Sequence, residues 1–88
     1  MNVSGHIEPV SRELSHDVWQ DVIAEMPQLQ PRRNDPEYAY LTKRGDNIGA
    51  FQWKPEEDEI TVLGELDTVR GIAEQIATRI GGRFVPSM

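Results

Sequence analysis

The sequence predicts an α+β domain of two layers, an antiparallel three-stranded meander packed against two helices. Three observations predict it. Tyr38 to Leu63 holds three short runs of aromatic and β-branched residues with turn chemistry between them. A helix-period apolar pattern precedes that stretch at Val18, Trp19, Val22, Ile23 and Met26. A second pattern follows it at Val69, Ile72, Ala73, Ile76, Ala77 and Ile80. Short terminal strands could extend the sheet at its edges, giving the order α-β-β-β-α with a closing β. At 88 residues the chain has room for one domain and one modest core.

Residues 1–14 read as a tail or weak edge strand ahead of a domain spanning 15–88. Val3, Gly5 and Ile7 alternate with polar residues, but Gly5 and Pro9 weaken a strand. His6 and Glu8 would share one side at metal-compatible spacing, with no further ligand nearby. A frayed tail is the plainer expectation.

The first helix is predicted over about 15–26. Ser15 can accept a hydrogen bond from an exposed first-turn amide, and Asp17 suits the positive end of the dipole. Leu14 before the cap and Trp19 inside the helix have the spacing of a hydrophobic staple, and Pro27 ends the helix. On the opposite side Asp17, Asp21 and Glu25 recur every four residues, with Glu13 extending the row if the helix starts earlier. No Lys or Arg on the helix relieves that repulsion. The row reads as a solvated face or as a docking stripe for a basic partner.

Residues 27–36 hold three prolines and two arginines without periodicity, which predicts an extended connector. Arg32 and Arg33 could fold back on the acidic row or contact an anion. The meander follows, with strands over about 38–43, 47–54 and 59–63. A two-residue loop at Gly45-Asp46 would set Tyr40 opposite Phe51 and Tyr38 opposite Trp53; a four-residue loop at Pro55–Asp58 would set Trp53 opposite Ile60 and Phe51 opposite Val62. These six side chains would then share one buried face beneath the helices. The second face would carry Ala39, Leu41, Lys43, Ile48, Ala50, Gln52, Thr61 and Leu63, either solvated or forming a contact surface centred on Leu41, Ala50 and Leu63.

The second helix is predicted over about 67–80, capped by Asp67 and ended by Gly81-Gly82, with Arg79 in its last turn. Gly71 interrupts its polar side, where a neighbouring backbone could approach. A last edge strand over 83–85 would return Phe84 to the core.

The formal charge of −6 speaks against a general electrostatic grip on nucleic acid or anionic lipid. With no cysteine, disulfides, thiolate metal sites and thiol nucleophiles are excluded. No apolar run has membrane-spanning length and no secretory signal pattern opens the chain, so a cytoplasmic location is the default expectation. The only imidazoles, His6 and His16, lie in no catalytic motif, and fifteen carboxylates make some close pair inevitable. No glycine pattern opens a helix after a strand as a phosphate cradle would, and no calcium-loop spacing occurs. No catalytic residue, cofactor or metal site is therefore expected. Arg44-Gly45-Asp46 is a tripeptide read by some adhesion receptors, but Gly-Asp is also ordinary turn chemistry.

The helix–three strands–helix order resembles that of the double-stranded-RNA-binding domain. That module grips phosphates with a basic cluster at the start of its last helix. Here that position reads Leu66-Asp67-Thr68-Val69-Arg70, so the resemblance implies no shared function.

The leading expectation is a non-enzymatic acidic interaction module, an adaptor, inhibitor or accessory protein, docking on a basic partner through Asp17, Asp21 and Glu25. The meander's two turns should polarise it, with Lys43 and Arg44 at one end and Glu56 to Glu59 at the other. A homodimer, through Leu41, Ala50 and Leu63 or by edge pairing of strands, is the second expectation. A nucleic-acid accessory using Arg32, Arg33, Lys43 and Arg44 is the third.

Overall fold

The computed structural model describes residues 3–10 and 14–87. It is an α+β domain: a six-stranded antiparallel open sheet with two helices packed on it. The elements are β1 (Val3–Pro9), α1 (His16–Glu25), β2 (Leu29–Arg32), β3 (Asp35–Lys43), β4 (Asp46–Lys54), β5 (Glu59–Gly64), α2 (Leu66–Ile80) and β6 (Gly82–Pro86). The strand order is β2-β3-β4-β5-β1-β6. The predicted meander is the middle of this sheet. Its flanking strands separate it from the element order of the double-stranded-RNA-binding domain.

The first strand is not a frayed tail or an edge. β1 lies between β5 and β6, with Ile7 paired to Ile60 on one side and Phe84 on the other. Ile7 is completely buried, which accounts for the strand's presence despite Gly5 and Pro9. Ser4 donates from Oγ to the Gly64 carbonyl, and Ser87 N–H donates to the Ser4 carbonyl at 2.8 Å.

The predicted connector over 27–36 also contains a strand. After a tight turn in which Leu29 N–H donates to the Met26 carbonyl, β2 pairs with β3. An edge strand tolerates Pro31, and Leu29 alone is buried, so apolar patterning could not reveal it.

α1 forms as the sequence predicts. Ser15 Oγ accepts from Val18 N–H at 3.2 Å, and Leu14 and Trp19 are both buried in the core. Trp19 has no exposed surface, and its Nε1 donates to the Glu37 carbonyl at 3.1 Å. α2 differs at its start: Glu65 is the N-cap, without a side-chain hydrogen bond, and Asp67 lies inside the first turn. The αL residue at its end is Gly81, with φ 68°.

The meander register is half as predicted. β4 and β5 pair Trp53 with Ile60 and Phe51 with Val62 across a four-residue turn. In the first hairpin the two loop residues are Arg44 (φ 54°) and Gly45 (φ 84°), the left-handed pair of a type I′ turn. An irregularity between Leu41 and Thr42 then offsets the ladder, so Tyr40 faces Ala50 and Ala39 faces Phe51. The net slip is one residue, which sends Tyr38 and Tyr40 to the other face. Ala39 and Leu41 point into the core instead, with Phe51, Trp53, Ile60 and Val62.

Both helices contribute to that single core and contact each other, so they cover the same face. α2 lies over β4, β5, β1 and β6, and α1 lies over β2 and β3. α2 comes close to the sheet at Gly49, where an added Cβ would stand 2.5 Å from Val69 Cγ1.

Candidate functional site

Strand direction distributes the charges. β3 runs from Asp35 to Lys43, so Lys43 and Arg44 sit at one end of the sheet; Asp35, Glu37 and the β4–β5 turn sit at the other. That turn is held by Asp58 in a left-handed conformation (φ 49°) and by a bond from Glu57 N–H to the Lys54 carbonyl at 3.1 Å.

At this second end lies a cleft of about 420 Å³ walled by Asp35, Glu37, Glu56 and Glu57, with Gln52, Trp53, Lys54 and Pro55 completing its lining. α1 is fixed beside it. Gln20 Nε2 donates to the Pro36 carbonyl at 2.8 Å, and Leu14 N–H donates to Asp58 Oδ1 at 3.2 Å. The His16 ring lies 6.3 Å from that of Trp53. Asp17 and Asp21 are exposed on the free side of α1. None of the four cleft carboxylates forms an ion pair with a described residue. Four carboxylates share this opening with Lys54, and Arg32 and Arg33 flank Asp35 from the adjoining turn.

The third residue of the predicted stripe is placed differently. Glu25 pairs with Arg79, in the last turn of α2, so a cation on the other helix relieves the row there. Glu13 lies outside the described residues. Asp17 and Asp21 therefore extend the acidic end, and Glu25 belongs to the contact between helices.

Arg32 and Arg33 also differ from expectation. They sit beside Asp35 at the β2–β3 turn, whereas Lys43 and Arg44 lie at the far end of β3, about 25 Å away at strand rise. The four cations do not share a surface. The Arg32 guanidinium stacks 5.3 Å from the centroid of the Tyr38 ring, and neither arginine pairs with the acidic row among the described residues.

The predicted contact surface of Leu41, Ala50 and Leu63 is divided. Leu41 is only 3 % exposed and belongs to the core. Ala50 and Leu63 are cross-strand partners on the helix-free face, where Ala50 is fully covered by its neighbours.

The His6–Glu8 pair is engaged internally. His6 Nε2 and Glu8 Oε1 are 2.9 Å apart, and Arg83 reaches Glu8 Oε2 at 3.0 Å. These hydrogen bonds, His6's first and then Arg83's, hold the Glu8 carboxyl below its usual range. No group of three or more His, Cys, Asp or Glu among the described residues is placed to hold a metal ion. Neither imidazole is hydrogen-bonded to a hydroxyl among the described residues, and no described helix is long and apolar enough to cross a membrane.

Comparison with known protein families, with curated proteins and with solved structures gives no match. The site stands on its own geometry. Sequence reasoning missed Asp35 and Glu37, because Asp35 lay in a presumed connector and Glu37 between it and the predicted strand. The signal was their alternation into Tyr38 and Tyr40, continuous with the strand that follows.

Proposed function

We propose that this domain is a non-enzymatic interaction module that receives a basic segment of another protein at its acidic end. The observation that carries the reading is the cleft itself: Asp35, Glu37, Glu56 and Glu57 converge on one opening, and no described cation pairs with them. A lysine- or arginine-rich segment entering there would exchange solvent for charge-assisted hydrogen bonds, which are shorter and stronger than neutral ones. Asp17 and Asp21 lengthen the negative surface along which such a segment approaches. Steering of this kind acts chiefly on the association rate and weakens with salt.

Titration with a short arginine-rich peptide tests it. Binding should be measurable at low ionic strength, fall steeply with added salt, and disappear in a variant carrying Asp35→Asn, Glu37→Gln, Glu56→Gln and Glu57→Gln. Absence of binding by the unaltered protein at low salt overturns the reading, as does binding that both salt and the variant leave unchanged.

A further inference from the structure

The face that the helices leave bare is ordered in rows across the strands. One row runs Tyr40, Ala50, Leu63 and Val3 through β3, β4, β5 and β1. The next runs Tyr38, Gln52, Thr61, His6 and Val85, through to β6. Neither row contains a Lys, Arg, Asp or Glu. Beyond them Lys54 faces Glu59 and Glu8 faces Arg83, two cations against two anions. An uncharged centre with a charged rim is the composition of a protein interface. Val3 is 57 % exposed in this patch, although it is a large apolar side chain.

We propose that this face binds a second copy of the chain, forming a symmetric dimer in which two sheets pack face to face as a sandwich. Charge selects the partner. The chain as a whole carries −6, so two copies meeting through their acidic surfaces repel. On the bare face the rim charges balance, and the unpaired addition is Arg32 over Tyr38. Two such faces can meet without opposing fields. Size is sufficient: six strands about 4.8 Å apart, over a paired length near 20 Å, present roughly 600 Å² per copy. The total of about 1,200 Å² is the lower end for specific interfaces, which implies a weak, concentration-dependent dimer. Strand-to-strand association at the sheet edges is opposed, because β2 and β6 carry Pro31 and Pro86. Twisted sheets stack with strands about 30° apart, and Gln52 and Lys54, which also line the acidic cleft, lie at the edge of the contact.

Sedimentation equilibrium from about 1 to about 200 micromolar spans the affinities of interfaces this size. The expected result is a monomer–dimer equilibrium that Val3→Asp with Thr61→Glu weakens by about tenfold or more through buried like charges. Circular dichroism should show those variants folded. Because the chain has no cysteine, Thr61→Cys supplies a single thiol on the face and Arg44→Cys a single thiol at a hairpin tip. Mild oxidation should cross-link the first and not the second. A monomer at every concentration overturns the proposal. So does a dimer indifferent to both variants, or capture of a single-stranded oligonucleotide by this face with no dimer.

Discussion

Neighbouring residues of one strand occupy two different environments in this sheet. Ala39 and Phe51 have no exposed surface and lie under the helices, while Tyr40 and Gln52, next to them in sequence, stay half-buried on the bare side. The covered face is not the one that gathers all the large rings. It is the one whose strands leave room: Ala39 and Gly49 let the helices settle close, and Gly49 accepts Val69 where a Cβ would collide. Tyr38 and Tyr40 instead pack against each other at a tilt outside, with ring centroids 5.2 Å apart. Apolar content by itself is thus a poor guide to which side of a sheet a helix will cover. Volume against the approaching helix decides.

The largest expected contrast is between Trp19 and Gln52. Trp19→Ala should cost about 3–5 kcal/mol, the loss of a fully enclosed ring and its hydrogen bond. Gln52→Ala on the bare face should change stability by about 0.5 kcal/mol or less. Urea unfolding of both variants checks the pair, and equal losses would erase the distinction between the faces.

Two glycines sharpen the comparison with opposite signs. Gly49→Ala should destabilise by roughly 1–3 kcal/mol through overpacking against Val69, and Val69→Ala in the same chain should recover part of that loss. At Gly71 an added Cβ would meet nothing within 4 Å, so no neighbouring backbone approaches it. Gly71→Ala should therefore stabilise α2 by about 1 kcal/mol. Thermal melts of the three variants decide it.

The smallest effect concerns Glu8 at the rim of the bare face. Its carboxyl is held below its ordinary range by His6 and Arg83, so its contribution is full above the unfolded-state value and fades as pH falls through the lower folded one. Unfolding midpoints followed from neutral to about pH 2 should show a slightly steeper acid loss in the unaltered protein than in Glu8→Gln.

Both helices, the three middle strands and the last strand were legible because each advertises itself locally, by period, by cap or by turn. β1 was obscured because Gly5 and Pro9 weaken its signal while Ile7 draws its burial from β5 and β6, far along the chain. β2 was hidden by its exposure. The turn between β4 and β5 could be read from Pro55, whereas the first hairpin offered two adjacent placements, and the offset near Leu41 left no mark in composition. The acidic cleft needed the register of β3 before Asp35 and Glu37 could be brought beside Glu56 and Glu57. Glu25 likewise joined the docking stripe on helical spacing alone, since its partner Arg79 belongs to another helix.

The insertion of β1 between β5 and β6 sets a timetable for assembly. Ile7 precedes both of its ladder partners along the chain: Ile60 follows it at a distance, and Phe84 comes later still. Until then the middle of the sheet lacks one of its walls and α2 has only part of its bed. Such long-range closure slows folding relative to a chain of local hairpins.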